Sequence, residues 1–202
     1  MNSKKKDMVI VLASGSSYRR SLLTRLNQAF TVCSPDIEET PQDGETAPEL
    51  ALRLAEGKAR AAATGYTQAL VIGSDQVAVL DGQLLGKPGS HEKARAQLQR
   101  ASGNTVCFYT AVCLLNTDSG AIQKEIAPCT VAFRKLSQDM IEGYLQQEQP
   151  YDCAGAFKSE GLGIALLERM TTEDPTALIG LPLIRLSHML AREGVDALLP
   201  EG

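Results

Sequence analysis

The sequence predicts an α/β fold in which a mixed, twisted sheet is flanked by helices, and three observations point there. Short β-rich apolar runs alternate with amphipathic helical stretches through the first half of the chain. Two long runs, "TVCFYTAVCLLN" and "AIQKEIAPCTVAFRKL", then follow one another across the turn-forming "TDSG" and read as neighbouring antiparallel strands. With 202 residues, 44% hydrophobic and 22% charged, the chain suits one globular domain spanning 1–202. A doubly wound parallel sheet is the alternative.

Each element has a local reason. Residues 8–13 form an apolar run too short for a secretory core and preceded directly by Asp7, so they read as a first strand behind a ragged, lysine-rich tail. From Tyr18 to Leu26, Leu22, Leu23 and Leu26 fall at helical spacing. "TVCSPDIEETPQDGETAP" is acidic and turn-rich, an extended stretch giving way to a loop. A helix begins near Pro48 and runs through "PELALRLAEGKARAAATGY" to Gly65. Ala69–Ile72 reads as a buried strand ending at a G-S-D-Q junction, with a second strand and a hairpin at Asp81-Gly82 after it. Helices are expected behind Ser90 and Ser137, each a good N-cap residue. "DCAGAFKSEGLGIALLERM" reads as a glycine-bearing loop followed by a strand, and "GLPLIRLSHMLAREG" as a last helix stopped by glycine.

Composition narrows the function. A formal net charge of -4 argues against broad nucleic-acid binding, which needs a basic face to displace counterions. Five cysteines, at 33, 107, 113, 129 and 153, are odd in number and form no C-x-x-C, which indicates neither a zinc knuckle nor a disulfide framework and suits a reducing cytoplasm. No apolar run approaches the roughly 20 residues that cross a bilayer.

Three segments could carry chemistry. In "SGSSYRR", Ser14, Ser16, Ser17 and Arg19 could donate hydrogen bonds to a phosphate, and a capped helix with surface arginines would look the same. In "VIGSDQV", Asp75 after a buried strand could hold a divalent cation or take a proton from water, or simply form a turn. In "AFKSEGLG", Lys158 and Glu160 sit among glycines that permit close approach of a ligand. Glu38, Glu39, Lys58 and Lys87 add carboxylates and cations of the kind that a metal-assisted phosphoryl or nucleotidyl reaction uses. His91 and His188 are given no role.

Taken together and in order, "LASGSSYRRSLL", "DIEETP", "LALRLAEGKA", "VIGSDQVAVLDGQLLGKP", "SGNTVCFYTAV", "CAGAFKSEGLG" and "LIGLPL" resemble the Maf family of nucleotide pyrophosphatases over nearly the whole chain. The resemblance implies a two-lobed, inosine triphosphatase-like α/β fold with a central cleft, and cleavage of a nucleoside triphosphate to its monophosphate and pyrophosphate with Mg²⁺, Mn²⁺ or Co²⁺. It implies that Asp75 activates water and contacts the cation, that Glu39 helps hold the cation, and that Ser14, Arg19, Lys58 and Lys87 bind the triphosphate. Where the family usually has I-D-E, this chain has Ile37-Glu38-Glu39.

The family branch acting on dTTP and UTP reads S-P-R-R, G-[SA]-D-T and Y-x-I-Q-G where this chain has Tyr18, Gln76 and Glu160. An aromatic in place of arginine and a carboxylate in place of an amide both favour a cationic base. The three residues therefore resemble the branch that hydrolyses 7-methyl-GTP, with Tyr18 expected to stack on the base and Glu160 and Gln76 to meet its polar edge. A dTTP/UTP or broad pyrophosphatase, and a nucleotide-binding regulator of septum formation, are the rival readings. A homodimer is a further expectation from the resemblance, while the acidic net charge and the short apolar runs predict no nucleic-acid and no membrane partner.

Overall fold

The computed structural model describes residues 8–199; Asp7 and the lysine-rich tail expected before it lie outside them. Strand β1 (Val9–Ala13) is buried at four consecutive positions, as a central strand covered on both faces must be. It pairs in parallel with β2 (Phe30–Cys33) on one side and with β3 (Ala69–Leu80) on the other. Beyond β3 the pairing turns antiparallel, through β5 (Thr105–Asn116), β6 (Ile122–Phe133) and β7 (Leu167–Thr172), while the short β4 (Gln83–Leu85) folds back on β3 across Asp81-Gly82. The result is a seven-stranded mixed sheet of order β2-β1-β3-β5-β6-β7, as the alternation of the sequence predicts.

The helices cover the sheet in a way that separates its two halves. Helix α2 (Ala47–Ala63) starts with Glu49 accepting from the Thr46 backbone N–H at 2.9 Å, and has Pro in its first turn. Its alanine-rich face packs on Val11, Val71, Val77 and Ala111. On the opposite face, α1 (Ser17–Leu23) and α5 (Leu183–Arg192) bury Leu22, Leu23, Leu186 and Met189 against Ile10, Leu12, Leu70 and Ile72. The far halves of β3, β5 and β6 carry a third core, in which α3 (His91–Ala101) and α4 (Gln138–Glu148) enclose Phe108, Phe133 and Phe157. Both predicted caps form: Ser90 Oγ accepts from the Lys93 N–H and Ser137 Oγ from the Met140 N–H.

Two local readings are corrected. The helix expected over residues 18–26 ends at Leu23 and tightens into a 3-10 turn, Thr24–Leu26, stopped by Asn27 at φ 53°. More consequentially, the G-S-D-Q segment does not interrupt a strand: β3 runs unbroken for 12 residues. What stops is its neighbour. Pairing with β1 ends at Ala13 opposite Gly73, and pairing with β4 begins only at Ala78 opposite Leu85. Among the described residues, Ser74–Val77 therefore has no strand beside it on that side, and a cleft opens there.

Candidate active site

The cleft has a volume of about 690 Å³, within the range of small-molecule sites, and is lined from six separate segments. Ser14, Ser16, Ser17 and Arg19 come from the turn after β1, Glu39 from the loop after β2, Lys58 from α2, Asp75 and Gln76 from the open edge of β3, and Lys87 from the loop after β4. Asp152, Cys153, Phe157 and Glu160 come from the segment after α4.

The pleat of β3 decides what each residue there can reach, because successive side chains point to opposite faces. Val71, Gly73, Asp75 and Val77 lie on the α2 face. A Cβ on Gly73 would overlap the Ala55 carbonyl oxygen and lie 2.8 Å from the Ala59 nitrogen, so only glycine lets α2 pack this closely. That approach carries Lys58 to Asp75: Nζ donates to Asp75 Oδ1 at 2.6 Å and to Glu39 Oε1 at 2.7 Å. Burial acts to raise the Glu39 carboxyl, but the Lys58 hydrogen bond and charge outweigh it and hold Glu39 below its ordinary range.

Ser74 and Gln76 point the other way, toward the loop at Ala177–Leu181. Ser74 Oγ donates to the Ala111 and Gly180 carbonyls at 2.7 and 2.9 Å. Gln76 Nε2 is engaged by Thr110 Oγ1, Ala177 O and Leu178 O at 2.9–3.0 Å, which leaves its carbonyl Oε1 for a ligand. Arg19 is fixed by the same loop, its Nε donating to Gly180 O at 2.8 Å while Nη1 reaches Ser14 Oγ at 3.4 Å. Burial lowers the Arg19 pKa, and the nearby Asp75 and Glu39 oppose that shift. A guanidinium stays charged in such a setting.

The two adjacent glutamates divide their work. Glu38 turns back to accept from Thr40, through its backbone N–H at 2.9 Å and its hydroxyl, so the carboxylate offered to the cleft is Glu39. The loop carrying both is strapped to α2 by Arg53, which donates to Glu45 and to Thr40 O. Lys87 is exposed and lies in the electrostatic range of Glu39.

A second group of residues occupies the other end. Glu160 and Asp152 are exposed carboxylates on the cleft, with Cys153 between them and Tyr18 close by. The Cys153 thiol donates to Asp152 Oδ1 at 3.5 Å and is hydrogen-bonded to the Tyr18 hydroxyl. Burial, reinforced by Cys153 and by the charges of Asp152 and Glu160, pushes the Tyr18 pKa upward, so the phenol stays neutral. The Tyr18 hydroxyl, bonded to Cys153, holds the ring beside three cleft residues, Asp152, Cys153 and Glu160. Lys158 points away, paired with Glu148 at 3.0 Å.

Sequence reasoning did not single out Asp152, Ser34, Ser74 or Thr110. Only Asp152 carried a signal, lying eight positions before Glu160 in the same loop. The other three read as ordinary strand or turn residues.

An open strand edge ringed by cations and carboxylates on this mixed sheet defines a nucleotide-handling α/β enzyme site, and the chain belongs to the Maf family, whose Maf-like protein profile matches residues 9–193. It is 56% identical over 189 residues to a protein of Thiobacillus denitrificans named 7-methyl-GTP pyrophosphatase, covering 94% of each chain. A Nitrosococcus oceani protein of the same name is 54% identical, with 94% of this chain and 95% of that protein covered. A third, from Polaromonas sp., is 55% identical over 96% of this chain and 88% of its own length.

Proposed function

We propose that this chain is a nucleoside triphosphate pyrophosphatase that hydrolyses 7-methyl-GTP to 7-methyl-GMP and pyrophosphate. The observation that carries the reading is the division of charge along the cleft. At one end Arg19, Lys58 and Lys87 surround Glu39 and Asp75; at the other, Asp152 and Glu160 face the cleft with no cation paired to either among the described residues. A triphosphate suits the first end and a positively charged base the second. Relatives carrying that name over nearly their full length support the same assignment.

Each residue has a task. Ser14 and Arg19, with Lys87, grip phosphate oxygens, and the tie to Gly180 O keeps the Arg19 guanidinium aimed. Lys58 is shared between two carboxylates, and a phosphate oxygen entering the cleft competes for that ammonium. Once Lys58 turns to the substrate, Asp75 is free to accept a proton from the attacking water. Glu160 and Gln76 Oε1 are both acceptors, matching the N1–H and exocyclic amine of guanine, whereas uracil and thymine present carbonyl oxygens there.

The donor set also suits a divalent cation. Glu39 and Asp75 each place an oxygen within 2.7 Å of one point, now taken by an ammonium nitrogen. Hard cations such as Mg²⁺ are held by one or two carboxylates together with substrate phosphates. Among the described residues no three metal-ligating side chains gather, so phosphate oxygens would complete the shell. Such a cation, Mg²⁺, Mn²⁺ or Co²⁺, would neutralise charge on the phosphate chain and on departing pyrophosphate.

The test is turnover of 7-methyl-GTP, GTP, UTP and dTTP with each of the three metals. The highest kcat/KM is expected for 7-methyl-GTP. Glu160→Gln is expected to narrow the ratio of 7-methyl-GTP to UTP by about tenfold, since a charge-assisted hydrogen bond becomes a neutral one. Equal use of all four nucleotides would make the enzyme a broad pyrophosphatase, and binding without pyrophosphate release would make it a nucleotide-binding regulator. No helix among the described residues is long and apolar enough to cross a membrane, and the five cysteines are free thiols. The free thiols support work in a reducing cytoplasm.

A further inference from the structure

We propose that Asp152 is a second determinant of base selectivity, supplying the negative charge by which the cleft distinguishes a cationic guanine from a neutral one; this rests on the 7-methyl-GTP reading above. The need for such a residue follows from chemistry. Methylation at N7 leaves N1–H and the exocyclic amine of guanine in place, so the pattern of acceptors that Glu160 and Gln76 offer that edge separates purine from pyrimidine but matches GTP and 7-methyl-GTP alike, and of the two only the charge of Glu160 bears on the difference. What methylation changes is the charge of the ring, and a charge is recognised by an opposite charge held nearby in a cleft with few competing counterions.

Asp152 has that property. Of the other carboxylates lining the cleft, Glu39 and Asp75 are compensated by Lys58, and Glu160 lies in the electrostatic range of Lys158, whose ammonium pairs with Glu148. No lysine, arginine or histidine pairs with Asp152 among the described residues; its hydrogen-bond partner is the neutral Cys153 thiol, whose pKa is pushed up to about 12 by burial and by Asp152 itself. The carboxylate therefore faces the cleft with its charge unspent.

Its position is also fixed relative to the phosphate end. The Gly89 N–H donates to Tyr151 O at 2.9 Å, and the Gly155 N–H to Gly86 O at 3.4 Å, so the strip carrying Asp152 is sewn on both sides to the loop carrying Lys87. A nucleotide whose phosphates meet Lys87 thus brings its base toward a defined acidic wall.

The experiment compares kcat/KM for 7-methyl-GTP, GTP and 7-methyl-7-deaza-GTP, which keeps the methyl group in place on an uncharged ring. The variants are Asp152→Asn and Asp152→Glu. Asn preserves the acceptor for the Cys153 thiol, so the loop keeps its anchor while the charge is lost. Wild type is expected to prefer 7-methyl-GTP to its uncharged analogue, and Asp152→Asn to reduce that preference about tenfold, the size of a charge pair with screening between that of water and protein. Turnover of 7-methyl-7-deaza-GTP falls less than that of 7-methyl-GTP, and Asp152→Glu retains most of the preference. An unaltered ratio in Asp152→Asn overturns the role of Asp152 while the substrate assignment stands. An equal loss on both nucleotides also overturns it, since a merely structural residue does not read charge. Wild-type protein that does not turn over 7-methyl-GTP removes the underlying reading instead.

Discussion

Asp75→Asn is expected to lower kcat by about 10² to 10⁴, the usual cost of losing a general base, while nucleotide binding is largely kept. The structure explains the split. The Asn side-chain oxygen can still accept the hydrogen bond that Asp75 Oδ1 takes from Lys58, and Glu39 continues to hold the same ammonium at 2.7 Å. The cationic end of the cleft thus keeps its shape and the proton acceptor is gone. Steady-state kinetics with 7-methyl-GTP, beside titration with a non-hydrolysable analogue, separates the two effects. An Asn variant with near-normal kcat would show that another group accepts the proton.

Gly73→Ala is expected to destabilise the fold by about 3 kcal/mol, at the upper end of overpacking costs. The added methyl meets backbone atoms of Ala55 and Ala59, and a helix backbone cannot swing aside as a flexible side chain can. If α2 shifts to make room, Lys58 moves with it and activity falls as well as stability. Urea midpoints measure the first effect and kcat the second. Gly143→Ala is the control: on α4 its Cβ meets nothing within 4 Å, and the exchange should raise stability by about 0.5 to 1 kcal/mol. A Gly73→Ala variant as stable as wild type would remove the packing argument.

Much of the architecture was legible because hydrophobic period and capping chemistry agreed. Ser90 and Ser137 marked helix starts that the structure reproduces, and the paired runs around "TDSG" became β5 and β6 in antiparallel register. The G-S-D-Q segment misled for a physical reason. Polar residues in mid-strand look like a turn unless their partners are known, and those partners are remote in sequence: Lys58 for Asp75, Gly180 and Ala111 for Ser74. Periodicity carries no information about such contacts.

The site divides in the same way. Ser14, Arg19, Glu39, Lys58, Asp75, Gln76, Lys87 and Glu160 all line one cleft, a convergence that no spacing along the chain announces. Tyr18 is tied to the base end of that cleft by Cys153, a partner too remote in sequence for spacing to announce. Asp152 escaped notice because an exposed Asp beside a turn is the commonest of surface features. Its uncompensated charge becomes visible only when the neighbours of every other acid are known.

The Gly180 carbonyl joins Arg19 to Ser74 across 161 and 106 positions of sequence. During synthesis the cleft is therefore assembled last: the ribosome must deliver the final loop before the guanidinium is aimed, and no partial product can bind a triphosphate as the finished enzyme does. Contacts this distant slow folding, and a premature stop ahead of Leu178 would remove α5 as well, stripping β1 and β3 of the cover on one face.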